Sequence, residues 1–388
     1  MTDIQNMHIE DSNEPSPPGR IKLDLERYFR TMVKNNASDL HLRPNRPPSM
    51  RINMVMHPVR AEPTGTEKLQ EMVSQIMTPQ QKIFFQDHGS IDLAVELPGS
   101  DRFRINVYRQ RGQISMAIRR VTRNIPTLEE LNLPAASLRD ITNATQGLIL
   151  LAGPTGCGKS TTISAMLEHI NKTRPCHIVT IEDPIEFLFE DKKALVSQRE
   201  VGIDVATFKE ALKYLMREDP DVVLIGEMRD YETFQAALQA SETGHLVFGT
   251  IHASSASQTV SRLLDLFSPE DREQIRQSLA FNLRAIVCQK LLPSVAEGIL
   301  RIPAVEIMAA TPMVRQFIHD AREIDLPEVI AAGERDGIMK SFATSLLELV
   351  EKDCIDPKVA YDAAPNADEL KMRMKGISGS RGGLIGRP

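Results

Sequence analysis

The most constraining feature of this sequence is a short apolar run that leads directly into a glycine-rich turn. Gly147–Ala152 is typical of a buried strand, and Thr161–Leu167 is typical of a helix start. The turn between them, which fits the pattern GxxxxGK[ST], consists of Gly153, Pro154, Thr155, Gly156, Cys157, Gly158, Lys159 and Ser160. Strand, turn and helix in this order are the context of a P-loop, and they predict an α/β domain built on a parallel sheet.

The chemistry of this turn follows from its residue types. Glycines let backbone N–H groups point inward around an anion, and the start of a helix adds partial positive charge. Lys159 would reach the β- and γ-phosphates of a nucleotide, and the Ser160 hydroxyl would coordinate Mg²⁺. The sequence therefore predicts ATP and Mg²⁺ as ligands, held by the turn together with Thr161. A glycine-rich turn that binds no nucleotide is the alternative interpretation.

Three further apolar runs repeat the strand pattern after the turn. They are His177–Ile181, Val222–Ile225 and Leu246–Ile251, with helical patterns between them. Strands that alternate with helices predict a parallel sheet covered on both faces. A long helix is expected from Ser268 towards Leu291, and helices are expected throughout residues 311–370.

The first third of the chain predicts a separate α+β module. A first helix is expected around Leu25 and Tyr28, and residues 91–97 alternate as a half-buried strand does. Two more alternating runs flank Arg111-Gly112-Gln113 and predict a hairpin, with Arg104 and Arg119 on the face opposite the apolar side chains.

These patterns predict five regions along the chain. Thr127–Glu130 has the capping-box pattern of a helix start, close behind a boundary at Ile125-Pro126. The predicted regions are a disordered tail (1–20), the α+β domain (21–124), a linker (125–135), the P-loop domain with C-terminal helices (136–370) and a flexible basic tail (371–388).

Composition excludes several classes of function. Of the 388 residues, 46 are Lys or Arg and 52 are Asp or Glu, which gives a net charge of −6. An acidic chain with 5% aromatic residues and no Trp argues against a nucleic-acid motor, which would need a basic, aromatic-lined channel. No apolar run has the roughly 18 residues of a membrane span, and no secretory signal pattern is seen, so a cytoplasmic protein without a transmembrane segment is expected. The cysteines form no CxxC pair, so no zinc site is expected.

Carboxylates and histidines at the predicted strand ends are candidates for the chemistry of hydrolysis. Glu227 follows the run Val222–Ile225, with Gly226 where a metal-binding aspartate is usual, and we assign Glu227 to polarising the attacking water. The remaining candidates are Glu182, Asp183 and Glu186 after one strand, and His245 and His252 around another. Taken alone, either of these two groups would more readily be structural.

With these residues in view, the chain resembles the secretion and pilus ATPase superfamily and, within it, the PilT/PilU-type pilus-retraction ATPases. The resemblance covers about residues 21–370. Its motifs are Ser38–Leu42, the P-loop, an Asp box at Thr180–Glu186, an atypical Walker B at Gly226–Asp230 and a His box at Thr243–His252.

The resemblance implies a PAS-like N-terminal α+β domain, a RecA-like motor domain and a ring hexamer with ATP at subunit interfaces. It implies that Arg104 and Arg119 reach the γ-phosphate, a role that suits guanidinium. It further implies that hydrolysis rotates the two domains and applies force to an inner-membrane pilus platform protein, with the ring at the cytoplasmic face of that membrane. Expected partners are therefore copies of the chain itself, the platform protein and a PilT/PilU paralogue.

Two branches of this family stay open. The absence of paired CxxC motifs favours the retraction branch over pilus-assembly and type II secretion members. Met313–Asp320 keeps the apolar pattern and Arg315 of a segment typical of retraction motors and differs elsewhere. The chain is predicted to be either the principal retraction motor or a PilU-like accessory subunit that acts with a catalytic paralogue.

Overall fold

The structure, a computed structural model, describes residue 9 and residues 24–97 and 101–375. These residues form two compact units. The first contains the chain up to Asn124 together with the short segments Ile185–Glu190 and Gly202–Asp204. The second contains the remaining residues from Ile125 onward.

The first unit is an antiparallel sheet with helices. Its helices are α1 (Glu26–Lys34), α2 (Thr66–Ile76) and α3 (Pro79–His88), and its strands are β1 (Asp39–Leu42), β2 (Ser49–Ile52), β3 (Val55–Pro58), β4 (Ser90–Glu96), β5 (Arg102–Gln110) and β6 (Gln113–Val121). The six strands lie in the order β3-β2-β1-β6-β5-β4, and every neighbouring pair is antiparallel. The predicted α+β character of this region is confirmed, and the PAS-like comparison stays a prediction.

The predicted hairpin of the first unit is confirmed residue by residue. Gln110 pairs with Gln113, so Arg111 and Gly112 form a two-residue turn. Both have positive φ, 52° and 77°, as the turns that match the right-handed twist of paired strands require. The apolar side of this hairpin packs on α1, where Phe29 and Phe103 are fully buried and stack with ring centroids 4.1 Å apart.

The second unit is a mostly parallel sheet with helices. Its strands are β7 (Gly147–Ala152), β8 (His177–Glu182), β9 (Leu195–Glu200), β10 (Val222–Ile225), β11 (Leu246–Ile251), β12 (Leu283–Pro293) and β13 (Arg301–Ala309). They lie in the order β13-β12-β7-β11-β10-β8-β9, with only β12 and β13 antiparallel. The predicted parallel sheet, with all four of its predicted strands, is confirmed.

Helices complete the second unit and include the predicted C-terminal group. They are α4 (Ala135–Thr142), α5 (Lys159–Thr173), α6 (Phe208–Leu215), α7 (Tyr231–Glu242), α8 (Ala256–Asp265), α9 (Arg272–Asn282), α10 (Pro312–His319), α11 (Leu326–Gly333), α12 (Phe342–Glu351), α13 (Pro357–Ala363) and α14 (Ala367–Met374). Short 3₁₀ turns at Glu323–Asp325 and Glu334–Asp336 flank α11. The helical reading of residues 311–370 is confirmed.

The predicted helix from Ser268 towards Leu291 is wrong in its second half. α9 ends at Asn282, and the chain continues as β12 from Leu283. β12 lies between β7 and β13, and its residues from Ala285 to Gln289 are all buried. A strand buried on both faces has a continuous apolar run, and periodicity cannot distinguish that run from a buried helix.

The predicted helix start at Thr127 is also wrong, although its hydrogen bonds are present. The Thr127 backbone N–H donates to Glu130 Oε2 at 2.7 Å, and the Glu130 N–H donates to Thr127 Oγ1 at 3.2 Å. Only a turn follows, because Asn132 adopts φ 56° and interrupts the helical path. The first helix of this unit is α4, which begins at Ala135.

The first residues of the predicted basic tail are helical. Lys371 and Arg373 belong to α14, and Arg373 donates hydrogen bonds to Thr344 and Glu369 at 2.9 Å each. Residues 376–388, like most of the predicted tail at 1–20, lie outside the described residues. Among the helices that are described, none combines the length and the apolarity needed to cross a bilayer.

Candidate active site

The P-loop lies where β7 ends and α5 begins. β7 is buried along its whole length, so its direction fixes where the loop opens. Gly158, the last loop residue before α5, has φ 93°, and a Cβ there would lie 2.8 Å from Gln289 Nε2. Both the backbone angle and the space therefore require glycine at this position.

Lys159 and Ser160 occupy the first turn of α5, as the motif predicts. Lys159 Nζ donates hydrogen bonds to the carbonyl oxygens of Gly153 at 2.8 Å and Pro154 at 3.0 Å, so the ammonium group lies within the curve of the loop. The first N–H groups of a helix lack partners within it, and Ser160 and Thr161 lie at this end of α5. A concave loop, an ammonium group and a hydroxyl at a helix N-terminus are the donor set that a magnesium nucleotide needs.

Parallel strands bring four loop starts to the same edge of the sheet. Along the order β7-β11-β10-β8, the residues that follow the strands are Gly153, His252, Gly226 and Asp183. We call this the carboxyl edge, since it is formed by the C-terminal ends of these strands. The P-loop strand β7 lies beside the strand that carries His252, and the strand that leads to Glu227 comes next.

Glu227 is held at the carboxyl edge by two side chains. Arg229 Nη2 lies 2.5 Å from Glu227 Oε2, and His252 Nε2 lies 3.0 Å from Glu227 Oε1. Hydrogen bonding from Arg229 lowers the pKa of the Glu227 carboxyl, helped by the charges of Arg229 and His252, and outweighs the opposing effect of partial burial. Glu227 is therefore a carboxylate at neutral pH. Its side chain remains 23% exposed, so it is accessible to water.

Gly226 lacks room for the aspartate that is usual at this position. Its N–H donates to the Ile181 carbonyl at 2.8 Å, and its own carbonyl accepts from Thr250 Oγ1 at 2.5 Å. A Cβ on Gly226 would lie 3.1 Å from the Ile181 oxygen and 3.3 Å from Glu182 Cα. Because neighbouring backbone fills the space, the strand-end carboxylate comes one residue later, at Glu227.

A cavity of about 550 Å³ opens beside Glu227. Its lining consists of Glu227, Met228, Arg229, Ile251, His252, Arg262 and Leu266. Arg262 of α8 also donates a hydrogen bond to the His252 carbonyl oxygen, so α8 fixes the backbone at the end of β11. Three of these side chains are apolar and four are polar or charged, so a ligand beside Glu227 would meet both kinds of surface.

The three carboxylates predicted after β8 have different surroundings. Glu182 is 7% exposed, and its Oε1 accepts from Thr180 Oγ1 at 2.7 Å and from Gln198 Nε2 at 3.2 Å. Asp183 is exposed at the carboxyl edge. Glu186 lies in Ile185–Glu190, which belongs to the first unit. Only Glu182 and Asp183 therefore share the second unit with the P-loop.

His245 and His252, both candidates from the sequence, lie in different surroundings. His245 precedes β11, and His252 follows it, so the two lie at opposite edges of the sheet, separated by a strand about 20 Å long. The His245 ring bonds through Nδ1 to the Ala240 carbonyl at 2.9 Å and lies 3.2 Å from Thr243 Oγ1. His245 thus holds the end of α7, and only His252 reaches Glu227.

Arg104 and Arg119 lie side by side in the first unit. They are directly paired across β5 and β6, while their neighbours Phe103 and Ile118 are buried on the other face. This confirms the predicted face of both arginines. Arg119 Nε donates to Asp39 Oδ1 at 2.9 Å, and the Arg119 side chain is 66% exposed.

Gln289 of β12 is a polar residue at the P-loop that the sequence reasoning missed. Its amide donates to the Cys157 carbonyl at 2.6 Å and accepts from Thr162 Oγ1 at 2.8 Å. Because β12 was predicted as part of a helix, nothing in the sequence placed this residue beside the motif. Gln289 and Lys290 are the two polar residues within the run Val287–Leu292, and an amide placed among these apolar residues is the signal that could have indicated it.

Known proteins resemble this chain along most of its length. The chain is 38% identical to the type IV pilus retractation ATPase PilT of Pseudomonas aeruginosa over 342 residues, 88% of this chain and 98% of that protein. It is 36% identical to the type IV pilus ATPase PilU of the same organism over 353 residues, 91% of this chain and 92% of that protein.

A solved structure agrees with these relatives. The crystal structure of the pilus retraction motor PilT with bound ADP is 36% identical and superposes with a TM-score of 0.82, covering 90% of this chain and 99% of that one. The family described as type II/IV secretion system protein matches residues 17–328. By sequence and by fold, the chain belongs to the type II/IV secretion system protein family.

Proposed function

We propose that this chain is an ATP-hydrolysing motor subunit that powers type IV pilus retraction and twitching motility. Relatives named for pilus retraction align over nearly their whole length, and one relative of known structure holds ADP. The chain carries the parts that hydrolysis needs: a P-loop, a lysine within its curve and a water-accessible carboxylate on the same sheet edge.

The observation that carries this proposal is the setting of Glu227. A carboxylate that is ionised and partly exposed can accept a hydrogen bond from water and orient it for attack. His252 and Arg229 hold both oxygens of Glu227, so its orientation is fixed before a substrate binds.

The P-loop residues bind and orient the nucleotide in this proposal. The residues Gly153–Thr161 surround the phosphates and, except for Pro154, offer them backbone N–H groups, and Lys159 exchanges its carbonyl partners for phosphate oxygens. The Ser160 hydroxyl would hold Mg²⁺, and the bound ion would supply charge neutralisation at the phosphates. Glu182 and Asp183 add carboxylates beside Glu227 that order water.

The remaining assignments are proposed from the resemblance of this chain to the pilus-retraction ATPases. Arg104 and Arg119 supply positive charge to the γ-phosphate across a subunit interface of a homohexamer, and Glu186 stays a sequence-based candidate. The ring acts on an inner-membrane pilus platform protein at the cytoplasmic face. No nucleic acid takes part.

The test is steady-state ATP turnover by the purified full-length protein, with its mass determined in the same buffer. We expect a hexamer whose turnover is lost in Glu227→Gln, because the glutamine cannot accept a proton from water. Undiminished turnover in that variant would remove Glu227 from its assigned role.

A second candidate is a PilU-like subunit that acts with a catalytic paralogue. It is favoured by the alignment to PilU, which spans 91% of this chain at nearly the same identity as the alignment to PilT. In that case the hexamer binds ATP and turns it over slowly alone, and the chain does not sustain retraction in a cell that lacks a PilT-type partner. Retraction in such a cell would establish the autonomous motor.

A further inference from the structure

The side chain of Gln289 reaches the phosphate loop from the strand beside it. β12 runs parallel to β7, and Cys288 pairs with Ala152, the last residue of β7. Gln289 is therefore level with Gly153, the first residue of the loop. It is 4% exposed, so its amide lies in the interior of the second unit.

Both polar atoms of the Gln289 side-chain amide form hydrogen bonds. Gln289 Nε2 donates to the Cys157 carbonyl at 2.6 Å, and Gln289 Oε1 accepts from Thr162 Oγ1 at 2.8 Å. Thr162, in the first turn of α5, is 1% exposed. One buried amide thus joins the loop to the helix that follows it.

The packing around Gln289 leaves the loop little freedom. A Cβ on Gly153 would lie 2.5 Å from the Gln289 backbone oxygen, and a Cβ on Gly158 would lie 2.8 Å from its Nε2. Backbone and side chain of Gln289 therefore approach both ends of the loop, each at a glycine.

The hydrogen bond from Gln289 to the Cys157 carbonyl also sets the direction of the Gly158 N–H, because the two groups belong to the same peptide bond. In a trans peptide the C=O and the following N–H point in opposite directions. Because Gln289 holds the Cys157 carbonyl towards β12, the Gly158 N–H is directed away from β12.

We propose that Gln289 is a positioning residue of the nucleotide site, which fixes the Cys157–Gly158 peptide and the first turn of α5 in the orientation that binds phosphate. This inference rests on the proposed ATP function. Gln289 acts through the loop and does not itself contact the nucleotide.

The test is the affinity of the full-length protein for Mg·ADP, measured by titration calorimetry. Gln289→Ala leaves the Cys157 carbonyl and the Thr162 hydroxyl without this partner, and we expect the Kd to rise about tenfold. In steady-state assays KM for ATP rises in proportion and kcat falls by less, because Glu227 is untouched.

Variants of Thr162 test the bridge without removing Gln289. Thr162→Val keeps the shape and removes the hydroxyl, so the Kd rises by about threefold to tenfold, and Thr162→Ser recovers the affinity. The double variant Gln289→Ala/Thr162→Val binds little worse than Gln289→Ala alone, because both changes break the same bridge. This pair keeps the proposal testable even if Gln289→Ala does not fold.

Asn282 provides the matched control, because it is a buried amide at the last residue of α9, just before the opposite end of β12. It is 4% exposed, and its Nδ2 donates to the Ser278 carbonyl at 2.9 Å. Asn282→Ala is expected to lower the melting temperature and to leave the Kd for Mg·ADP within about twofold, since the lost hydrogen bond lies far from the phosphates.

The outcomes separate this inference from the proposed function. An unchanged Kd in folded Gln289→Ala or in Thr162→Val, or an equal loss of affinity in Asn282→Ala, would overturn the positioning role. A wild-type protein that binds Mg·ADP but does not hydrolyse ATP would overturn the proposed enzyme and leave the inference about Gln289 intact.

Discussion

The two ends of β11 carry the same type of residue in different surroundings. His245, before the strand, bonds to a backbone carbonyl of α7 and to Thr243, all within six residues of chain. His252, after the strand, bonds to Glu227, which comes from a different strand. The first histidine closes a local turn, while the second joins two elements that only the sheet brings together.

This contrast extends to the two edges of the sheet. At the amino edge, formed by the starts of the parallel strands, Asn282 bonds back to its own helix and Gly147 donates to the His245 carbonyl. At the carboxyl edge, Glu227 and His252 meet across strands, and both side chains stay partly exposed to water. Polar residues at the amino edge complete the fold, and those at the carboxyl edge are available to a ligand.

The largest difference in kcat is expected between a variant that removes a carboxylate at the carboxyl edge and one that removes a carboxylate at the amino edge. Glu227→Gln at the carboxyl edge is expected to lower kcat by about 10² to 10⁴, because it removes the group that orients and deprotonates water. Glu242→Gln removes an exposed carboxylate at the end of α7, at the amino edge, and should leave turnover unchanged. If the measured kcat falls equally in both variants, the two edges do not differ in their contribution to turnover.

The histidine pair gives the next largest effect. His252→Ala should lower kcat about tenfold with little change in KM, because it loosens Glu227 without touching the P-loop. His245→Ala should keep its kcat and lose about 1 kcal/mol of unfolding free energy, the worth of a hydrogen bond to the backbone. Steady-state kinetics and denaturant unfolding of both proteins decide this, and equal losses of kcat and nucleotide affinity in His252→Ala would contradict it.

The pH dependence of turnover should depend on Arg229. Because Arg229 lowers the pKa of Glu227, the carboxylate stays ionised below the usual range of glutamate, and kcat should hold until the pH falls through that lowered value. The stability from this pair is present above the ordinary glutamate pKa and is lost on the same acid side. In Arg229→Ala the acid limb of the kcat profile should move to higher pH. If the acid limb of the Arg229→Ala profile stays at the same pH, a group other than Glu227 sets that limb.

Two glycines give the smallest expected effect on turnover. Gly244 at the amino edge has φ 102° and open space around its missing Cβ, so Gly244→Ala should cost about 1–2 kcal/mol of stability through backbone strain alone. Gly226→Ala must displace the backbone around Ile181 and Glu182 by a few tenths of an ångström, which shifts Glu227 as well. We therefore expect Gly226→Ala to lower kcat, and Gly244→Ala to lower only the melting temperature.

Much of the fold was predictable because its signals are local. The P-loop, the four strands β7, β8, β10 and β11, and the hairpin at Arg111-Gly112 each depend on residues close together in the chain. The capping box at Thr127 shows the limit of such signals, since its hydrogen bonds form and only a turn follows. Local bonds can start a helix, but Asn132 and the packing of α4 decide where one continues.

The sequence by itself determined the P-loop, the identity of Glu227 as the strand-end carboxylate and the shared face of Arg104 and Arg119, because periodicity and motif spacing encode them directly. Only the tertiary structure decided that β12 is a strand, that Gln289 reaches the P-loop and that His252 rather than His245 meets Glu227. Those contacts join residues far apart in the chain, up to 132 positions for Gln289 and Cys157. Strand order in the sheet sets them, and strand order arises from burial of the whole domain rather than from any local pattern.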